Sequence, residues 1–358
     1  MPLFSKNNKK CLGIDIGSTS IKIVELAQGE DGFSLNNYGI ASMKDITGRA
    51  IRSKNGQGLI SSKSAIAETI EKIIKEAGIK TKKTIFSIPD YSSFFTSFEI
   101  PKMKKSEVES AIQHQARQRI PLPLNEVTLD WTLAKLRKKD GEELIEVLLL
   151  AVPNETIKAY REVANKTGLK VGALDAETFG LAKIYGEEEK TIAVVDIGDQ
   201  STTINIIEDG IPKHSHSINT SGKDFTEEVA ILPDINYNDD SVEEDKNKEN
   251  DNEGDDSPTK VAKKVRESLT EELVRKIERV RLNYEEDQGK VDDIIIIGGG
   301  VNFRDVHRKL KEELSAKYGK PFNKIDYPSE LEPMMDGDLS SLLSVAAGMA
   351  LEGFKSEK

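Results

Sequence analysis

One motif occurs twice in this chain, and it limits the possible folds more than any other feature. In each copy an apolar strand ends in Asp-Ile-Gly, a polar turn follows, and a second apolar strand begins: CLGIDIGSTSIKIVEL at 11–26 and TIAVVDIGDQSTTINIIEDG at 191–210. The alternating apolar residues on both sides of each turn predict a β-hairpin. Two such units, about 180 residues apart, predict a duplicated fold in which both hairpin tips face a shared cleft.

The hairpin tips have the residue types that hold a nucleotide phosphate. Gly17 and Gly198 allow close approach of the backbone, and hydroxyls with successive N–H groups can hold phosphate oxygens. Asp15 and Asp196 can hold the cation that phosphate brings. Each tip could instead be an ordinary polar turn, because Gly-Ser-Thr sequences are common in turns.

The rest of the chain alternates between helical and strand patterns, which is typical of an α/β protein. Residues 61–78 carry apolar side chains at helical spacing before Gly78, so they predict an amphipathic helix. VTLDWTLAKL and EELIEVLLLAV, separated by the charged turn RKKDG, predict a pair of strands.

A third element narrows the fold class. VDDIIIIGGGVNF, at 291–303, predicts a buried strand that ends in three glycines and leads toward a helix. In this order, two acid-bearing hairpins followed by a glycine turn, the chain resembles the actin and DnaK-type ATPase superfamily. The resemblance implies an α/β fold of two lobes with a duplicated core.

The same resemblance implies ATP and Mg²⁺ as cofactors and assigns roles to residues. Asp15 and Asp196 would hold Mg²⁺ through its waters, as a cation that keeps its hydration shell prefers. For Ser20, as for Gln200 and Thr203, ordinary turn and strand chemistry is the alternative. The residues expected to bind the nucleotide are Gly17, Ser18, Thr19, Ser20, Lys22, Gly198, Ser201, Thr202, Gly298, Gly299 and Gly300.

Glu177 completes the expected catalytic set, with Asp15 and Asp196. DAETFGLAKIYG, at 175–186, resembles the helix that connects the lobes in this superfamily, and Glu177 falls at the acid that DnaK-type members use near the attacking water. The alternative is an acid placed at a helix N-terminus by the helix dipole. Asp199 and Gln200 stand where the chaperones have further glycines, and an acid near the γ-phosphate would repel it. We therefore expect slow hydrolysis, or binding without turnover.

Residues 87–131 carry a more specific resemblance. The quoted features are the Ile-Pro pair at 88–89, EIPKMKKSEVESAI, the IPLPLNEV run and Asp130. This stretch resembles PilM, an actin-like family of type IV pilus and related secretion machines, in which, as in FtsA, the first lobe carries a differently placed small subdomain. The implied partner is the cytoplasmic N-terminal segment of PilN, a bitopic membrane protein, which binds a groove between that subdomain and the first-lobe core. Pilus motor ATPases and a second copy of the chain are further candidate partners.

These resemblances imply a division of the chain. The expected parts are a first-lobe core at 1–90 and 171–189, a small subdomain at 91–170, a second-lobe core at 190–222 and 289–358, and a second-lobe small subdomain at 223–288 that includes an acidic insert at 234–260. The insert has 11 Asp and Glu against 3 Lys and few large apolar residues, so its composition predicts disorder.

Composition limits the compartment and the partners. The single cysteine, Cys11, excludes an intrachain disulfide, and no apolar stretch approaches the roughly 20 residues that span a bilayer. We expect a cytoplasmic protein, held at the inner membrane through its partner. The net charge of −11 opposes a nucleic-acid function.

Two other functions from the same superfamily stay open. A divisome tether like FtsA would end in an amphipathic membrane helix, whereas here the sequence stops close to the predicted core helix SLLSVAAGMALEGF. A metabolic small-molecule kinase would need a second substrate pocket with a catalytic base, and the sequence offers no constellation for one beyond scattered acids.

Overall fold

The computed structural model describes residues 9–43, 62–139, 141–222, 224–225, 258–299, 304–335 and 338–354. Its strands are β1 (Lys9–Ile16), β2 (Ser20–Gln28), β3 (Phe33–Ser42), β4 (Lys83–Ile88), β5 (Phe94–Pro101), β6 (Val127–Lys139), β7 (Glu142–Pro153), β8 (Lys170–Ala176), β9 (Thr191–Ile197), β10 (Thr202–Glu208), β11 (Ile211–Ile218), β12 (Asp293–Ile297), β13 (Lys317–Tyr318) and β14 (Ile325–Asp326). Its helices are α1 (Lys63–Glu76), α2 (Lys105–Arg119), α3 (Asn154–Thr167), α4 (Glu177–Tyr185), α5 (Pro258–Asp287), α6 (Arg304–Leu314), α7 (Glu332–Met335), α8 (Asp338–Leu342) and α9 (Ser344–Glu352).

Two of the sheets have the same topology, so the duplication predicted from the hairpins is confirmed. The order is β3-β2-β1-β4-β8 in the first sheet and β11-β10-β9-β12-β13 in the second. In both sheets the first three strands are antiparallel and the last two join in parallel. The two Asp-Ile-Gly segments therefore end the central strand of each sheet.

Helices cover both faces of the first sheet. On one face, Ile66, Ile70 and Ile73 of α1 are buried, as the helical spacing predicts, and pack with α3. On the other face lie α4 and α9. Because both faces are covered, β1 is buried continuously over residues 11–16 and β2 over residues 23–27, instead of at alternate positions.

The helices α4 and α9 cross in direct backbone contact. A Cβ added at Gly348 would lie 2.2 Å from the carbonyl oxygen of Gly180, so a side chain has no room there. The Tyr185 hydroxyl and the Ser344 hydroxyl share a buried hydrogen bond of 2.7 Å beside the crossing. This contact joins the helix that precedes the second lobe to the helix that follows it.

The expected lobe boundaries differ from the structure in two places. The segment 289–358 was expected to lie wholly in the second-lobe core, but β14 pairs with β3, and α9 packs on the first sheet. The reason is that eight of the nine residues of α9 are buried, so this helix needs a sheet on one side and α4 on the other. Within 91–170, α3 packs on α1 and the first-lobe core.

The small subdomain is a three-stranded antiparallel sheet in the order β5-β7-β6, with α2 on one face. The predicted pairing of the two strands around RKKDG is confirmed, with β6 as an edge strand. In the second lobe, α5 and α6 pack on the second sheet. Residues 234–257 of the acidic insert lie outside the described residues, and residues 258–260, expected to be disordered, begin α5. No helix in the described ranges is both long enough and apolar enough to span a bilayer.

We expect Gly348→Ala to destabilise the protein by about 2 kcal/mol, because the added methyl group would overlap the Gly180 carbonyl and push α4 and α9 apart. Urea unfolding followed by circular dichroism measures this change. Gly29→Ala is the matched control, since a Cβ there meets only the Gly32 carbonyl oxygen at 3.8 Å. Equal unfolding midpoints for the two variants would contradict the importance of the crossing.

Candidate nucleotide site

The two hairpin tips close with the same hydrogen bond. The Gly17 N–H donates to the carbonyl of Ser20 and the Gly198 N–H donates to the carbonyl of Ser201, both over 3.0 Å. Both tips border one cavity of about 290 Å³. The expected site residues that line it are Asp15, Gly17, Ser18, Thr19, Ser20, Lys22, Glu177, Asp196, Gly198, Ser201, Gly298 and Gly299.

Among the described residues, one expected site residue is not brought into this cavity. Thr202 is fully buried, and its hydroxyl donates to the carbonyl of Thr220 over 2.7 Å. The reason is the register: Thr202 follows the second tip as Ile21 follows the first, and both of these side chains point into the core. Gly300 lies outside the described residues.

The residue after Thr202 takes the place in the cavity that was expected for Thr202. Thr203 pairs with Asp196 in the ladder as Lys22 pairs with Asp15, and it lines the cavity. Aligning the two hairpins position by position would have nominated Thr203 as a site residue from the sequence alone. Gln200 lines the cavity as well. Other lining residues that the sequence analysis did not nominate are Pro89, Tyr91, Gly222 and Leu342.

Asp15 and Lys22 form a buried ion pair on the first tip. The Lys22 ammonium donates to Asp15 Oδ2 over 3.0 Å, and the Ser87 hydroxyl donates to Asp15 Oδ1 over 2.9 Å. Burial alone lowers the pKa of Lys22, but the negative charges of Asp15, Asp196 and Glu177 more than offset this and raise the pKa. Lys22 therefore stays charged at neutral pH.

The acids in and behind the cavity outnumber this single lysine. Burial raises the pKa of Asp196 to about 6, with Asp15 and Asp90 adding to the rise and Lys22 opposing it. Burial also raises the pKa of Glu177 well above its usual range, and the negative charges of Asp90, Asp15 and Asp196 raise it further. Oxygen donors with excess negative charge suit a hard cation such as hydrated Mg²⁺.

Asp90 sits behind the cavity and fixes the start of α4. Helix α4 follows Ala176, whose side chain cannot accept a hydrogen bond, so the cap comes from elsewhere. The Thr178 N–H approaches Asp90 Oδ1 and the Asp90 N–H approaches Glu177 Oε2, each over 3.4 Å. The Ser215 hydroxyl of the second lobe donates to Asp90 Oδ2 over 3.0 Å. Glu177 is therefore held by a residue that is distant in sequence.

The glycine turn after β12 lies under Asp196. Gly298 has a φ of 93°, and a Cβ there would lie 2.3 Å from Asp196 Oδ1 and 2.6 Å from the carbonyl oxygen of Ile197. A residue with a side chain therefore fits neither the backbone conformation nor the space. Gly298 and Gly299 leave bare backbone on this side of the cavity.

Asp196→Asn should stabilise the protein by about 1 kcal/mol at pH 7.5 and by less at pH 4.5. The pKa of Asp196 is raised to about 6 in the folded protein, so the folded state binds more protons than the unfolded state between about pH 4 and 6. Stability from this group is therefore lost as the pH rises through that window, and asparagine removes the loss. Chemical unfolding of both proteins at the two pH values checks this, and a gain that grows toward low pH would contradict it.

Two lobes with a duplicated core and a cleft between their hairpin tips define the actin-like ATPase fold. Among solved structures, the PilM–PilN type IV pilus biogenesis complex matches with a TM-score of 0.76 at 21% identity, over 96% of this chain and 98% of that chain. Ethanolamine utilization protein EutJ from Carboxydothermus hydrogenoformans matches with a TM-score of 0.53 at 16% identity, over 97% and 91%. At these identities the two structures show the fold, and the predicted fold class is confirmed.

Sequence comparisons identify the family. The cell division protein FtsA of Staphylococcus epidermidis is 25% identical over 244 residues, which are 61% of this chain and 50% of FtsA. The chain thus spans about half the length of the curated relatives it matches. A family model described as type IV pilus assembly protein PilM matches residues 13–354. The chain belongs to the type IV pilus assembly protein PilM family, as the stretch at 87–131 predicts.

Proposed function

We propose that this actin-like pilus-assembly protein is an ATP-binding scaffold of the inner-membrane platform of a type IV pilus or a related secretion machine. In this proposal it hydrolyses ATP slowly or not at all, and it reaches the membrane by binding the N-terminal cytoplasmic segment of a PilN-like bitopic protein. The observation that carries the nucleotide part is the cavity between the two hairpin tips.

The residues around that cavity fit Mg-ATP. Ser18 and Thr19 offer hydroxyls and backbone N–H groups to phosphate, and Lys22 adds a charged donor. Asp15 and Asp196 would hold Mg²⁺ through its waters, and the bound cation would neutralise part of the phosphate charge. Gly298 and Gly299 offer bare backbone to adenine and ribose.

Two other residues of the cavity, Asp199 and Glu177, favour slow hydrolysis. Asp199 lines the cavity from the second tip, where an acid repels the γ-phosphate. Glu177, the expected base, has a pKa raised well above its usual range by burial and by the neighbouring carboxylates. The raised pKa lowers the fraction of Glu177 that is ionised and able to accept a proton from water at a given pH.

Mg-ATP at 100 times its dissociation constant should raise the free energy of unfolding by about 2.7 kcal/mol, because it binds only the folded chain. Thermal unfolding with and without Mg-ATP measures this, and Asp15→Asn should lose most of the gain. Asp31→Asn is the matched control, an exposed aspartate between β2 and β3. Equal melting temperatures with and without nucleotide would contradict the assignment.

A groove between the small subdomain and the first-lobe core supports the partner part of the proposal. It has a volume of about 290 Å³ and lies between β6, β7 and α4. Trp131 and Leu133 on β6 are 38% and 44% exposed beside it, and Phe179 of α4 faces them from the other wall. Exposed apolar side chains next to a groove are typical of a protein-binding site.

The strand β6 suits an extended occupant. Five consecutive residues, 130–134, line the groove. Because side chains alternate between the two faces of a sheet, such a run indicates that the open edge of the strand faces the groove. In the sheet β5-β7-β6, no strand among the described residues pairs with that edge of β6, so its N–H and C=O groups can pair with an added peptide strand.

The charge of the groove lining further defines the kind of segment that can bind there. Asp130, Asp175 and Glu352 line the groove with Lys183, which gives a formal balance of −2. An extended segment with apolar anchors and at least one basic residue complements this lining. The solved PilM–PilN complex supports a PilN-like protein as the source of that segment.

A peptide with the sequence of the partner's cytoplasmic N-terminus should bind with micromolar affinity, since ordering a flexible segment offsets part of the contact energy. Trp131→Ala should weaken this binding at least tenfold in isothermal calorimetry. Leu136→Ala is the matched control, because Leu136 is 52% exposed on the same strand but does not line the groove. No binding by the unmodified protein, or equal losses in both variants, would contradict the groove assignment.

A further inference from the structure

The groove has a third wall, which comes from the second lobe. Gly210, Ile211 and Pro212, in the turn between β10 and β11 and at the start of β11, line it opposite β6 and α4. A site made only by the first lobe would keep its shape when the lobes move. This groove would change shape, because one of its walls belongs to the second lobe.

The strand β11 is tied to the small subdomain along its length. Lys213 forms an ion pair with Glu146 of β7, and both side chains are less than a tenth exposed. The Ser97 hydroxyl of β5 donates to the Lys213 carbonyl over 3.2 Å. Breaking a buried pair would leave an uncompensated charge, so β11 is held firmly against β7 and β5.

The other end of β11 reaches the nucleotide cavity. The hydroxyls of Ser217 and Thr203 lie 3.2 Å apart, and Thr203 lines that cavity. Between the two ends, the Ser215 hydroxyl donates to Asp90, which caps the helix that carries Glu177. From Pro212 to Ser217 the strand covers about 17 Å at its usual rise, so one strand borders the groove at one end and contacts a lining residue of the nucleotide cavity at the other.

We propose that a segment bound in the groove contacts both lobes, and that β11 thereby couples its binding to the binding of nucleotide in the cleft. The inference rests on the proposed function. A nucleotide that changes the lobe angle moves β11 and, through its ties, the small subdomain against α4, so the groove between β6 and α4 changes shape and the affinity for the segment changes with it. By linkage, the segment changes the affinity for the nucleotide by the same factor.

The test uses the full chain, the partner's N-terminal peptide and calorimetry, each with no nucleotide and with a saturating Mg-bound non-hydrolysable ATP analogue. The peptide affinity of the unmodified protein should change at least fivefold between the two states. Ile211→Ala should weaken peptide binding at least fivefold, because Ile211 belongs to the third wall. Unchanged peptide affinity in Ile211→Ala would overturn the contact with the second lobe.

Two variants test the coupling between the two sites separately from the contacts that the segment makes in the groove. Ser215→Ala and the double variant Lys213→Met, Glu146→Leu remove the ties of β11, and these side chains line neither cavity. At least one of them should reduce the nucleotide effect on peptide affinity to less than twofold. His216→Ala, on the same strand and exposed, is the control and should keep the full effect.

The outcomes distinguish the two proposals. No peptide binding in either nucleotide state contradicts the proposed groove itself. Peptide binding of equal strength in both states, or a full nucleotide effect retained in both tie-removing variants, overturns the coupling and leaves the groove assignment in place.

Discussion

Two aspartates, Asp15 buried and Asp196 half-buried, end the central strands of the duplicated sheets, and the way in which each is neutralised constrains the cleft between the lobes. A buried carboxylate is costly unless it is paired. Asp15 has its partner opposite it in the ladder, the ammonium of Lys22, whereas Asp196 has the neutral Thr203 at the equivalent position. The first tip is therefore neutralised within its own lobe and the second is not, which agrees with the pKa of about 6 for Asp196. Under the proposed function, a hydrated Mg²⁺ between the tips would complete the neutralisation at the place where the two halves of the fold meet.

One short helix brings the two sites close together. Helix α4 has nine residues, about 13 Å, and it carries Glu177 into the nucleotide cavity and Phe179 and Lys183 into the groove. Its start is capped by Asp90 and its middle is pressed against α9 at Gly180. A helix fixed at both points moves as a unit, so a displacement at either site is transmitted over less than three turns of helix.

The sequence predicts the features that repeat along the chain and those that a few neighbouring residues determine. The two hairpins, the glycine turn and the pair of strands around RKKDG follow from patterns that a few neighbouring residues determine, and the structure has all of them. Thr202 was expected in the site from the resemblance, but the register of the second hairpin turns its side chain into the interior. The cap from Asp90, the third wall at Ile211 and the position of α9 join residues far apart in the chain. A helix that is apolar on every side, such as α9, does not indicate which sheet covers it.

A nucleotide in the cleft would leave the pKa of Glu177 raised, so binding alone would not increase the ionised fraction of this carboxyl. The carboxylates around it keep its pKa high together with burial, and one Mg²⁺ would relieve part of that effect. A nucleoside triphosphate, however, carries more negative charge than one Mg²⁺ cancels, and the phosphates would lie on the same side of the cavity as Asp15 and Asp196. The charge near Glu177 therefore becomes more negative on binding, which favours its protonated form. Under the proposed function, such a site would hold a nucleotide for longer than an efficient hydrolase does, and long occupancy would suit a protein whose nucleotide-bound state a partner recognises at the neighbouring groove.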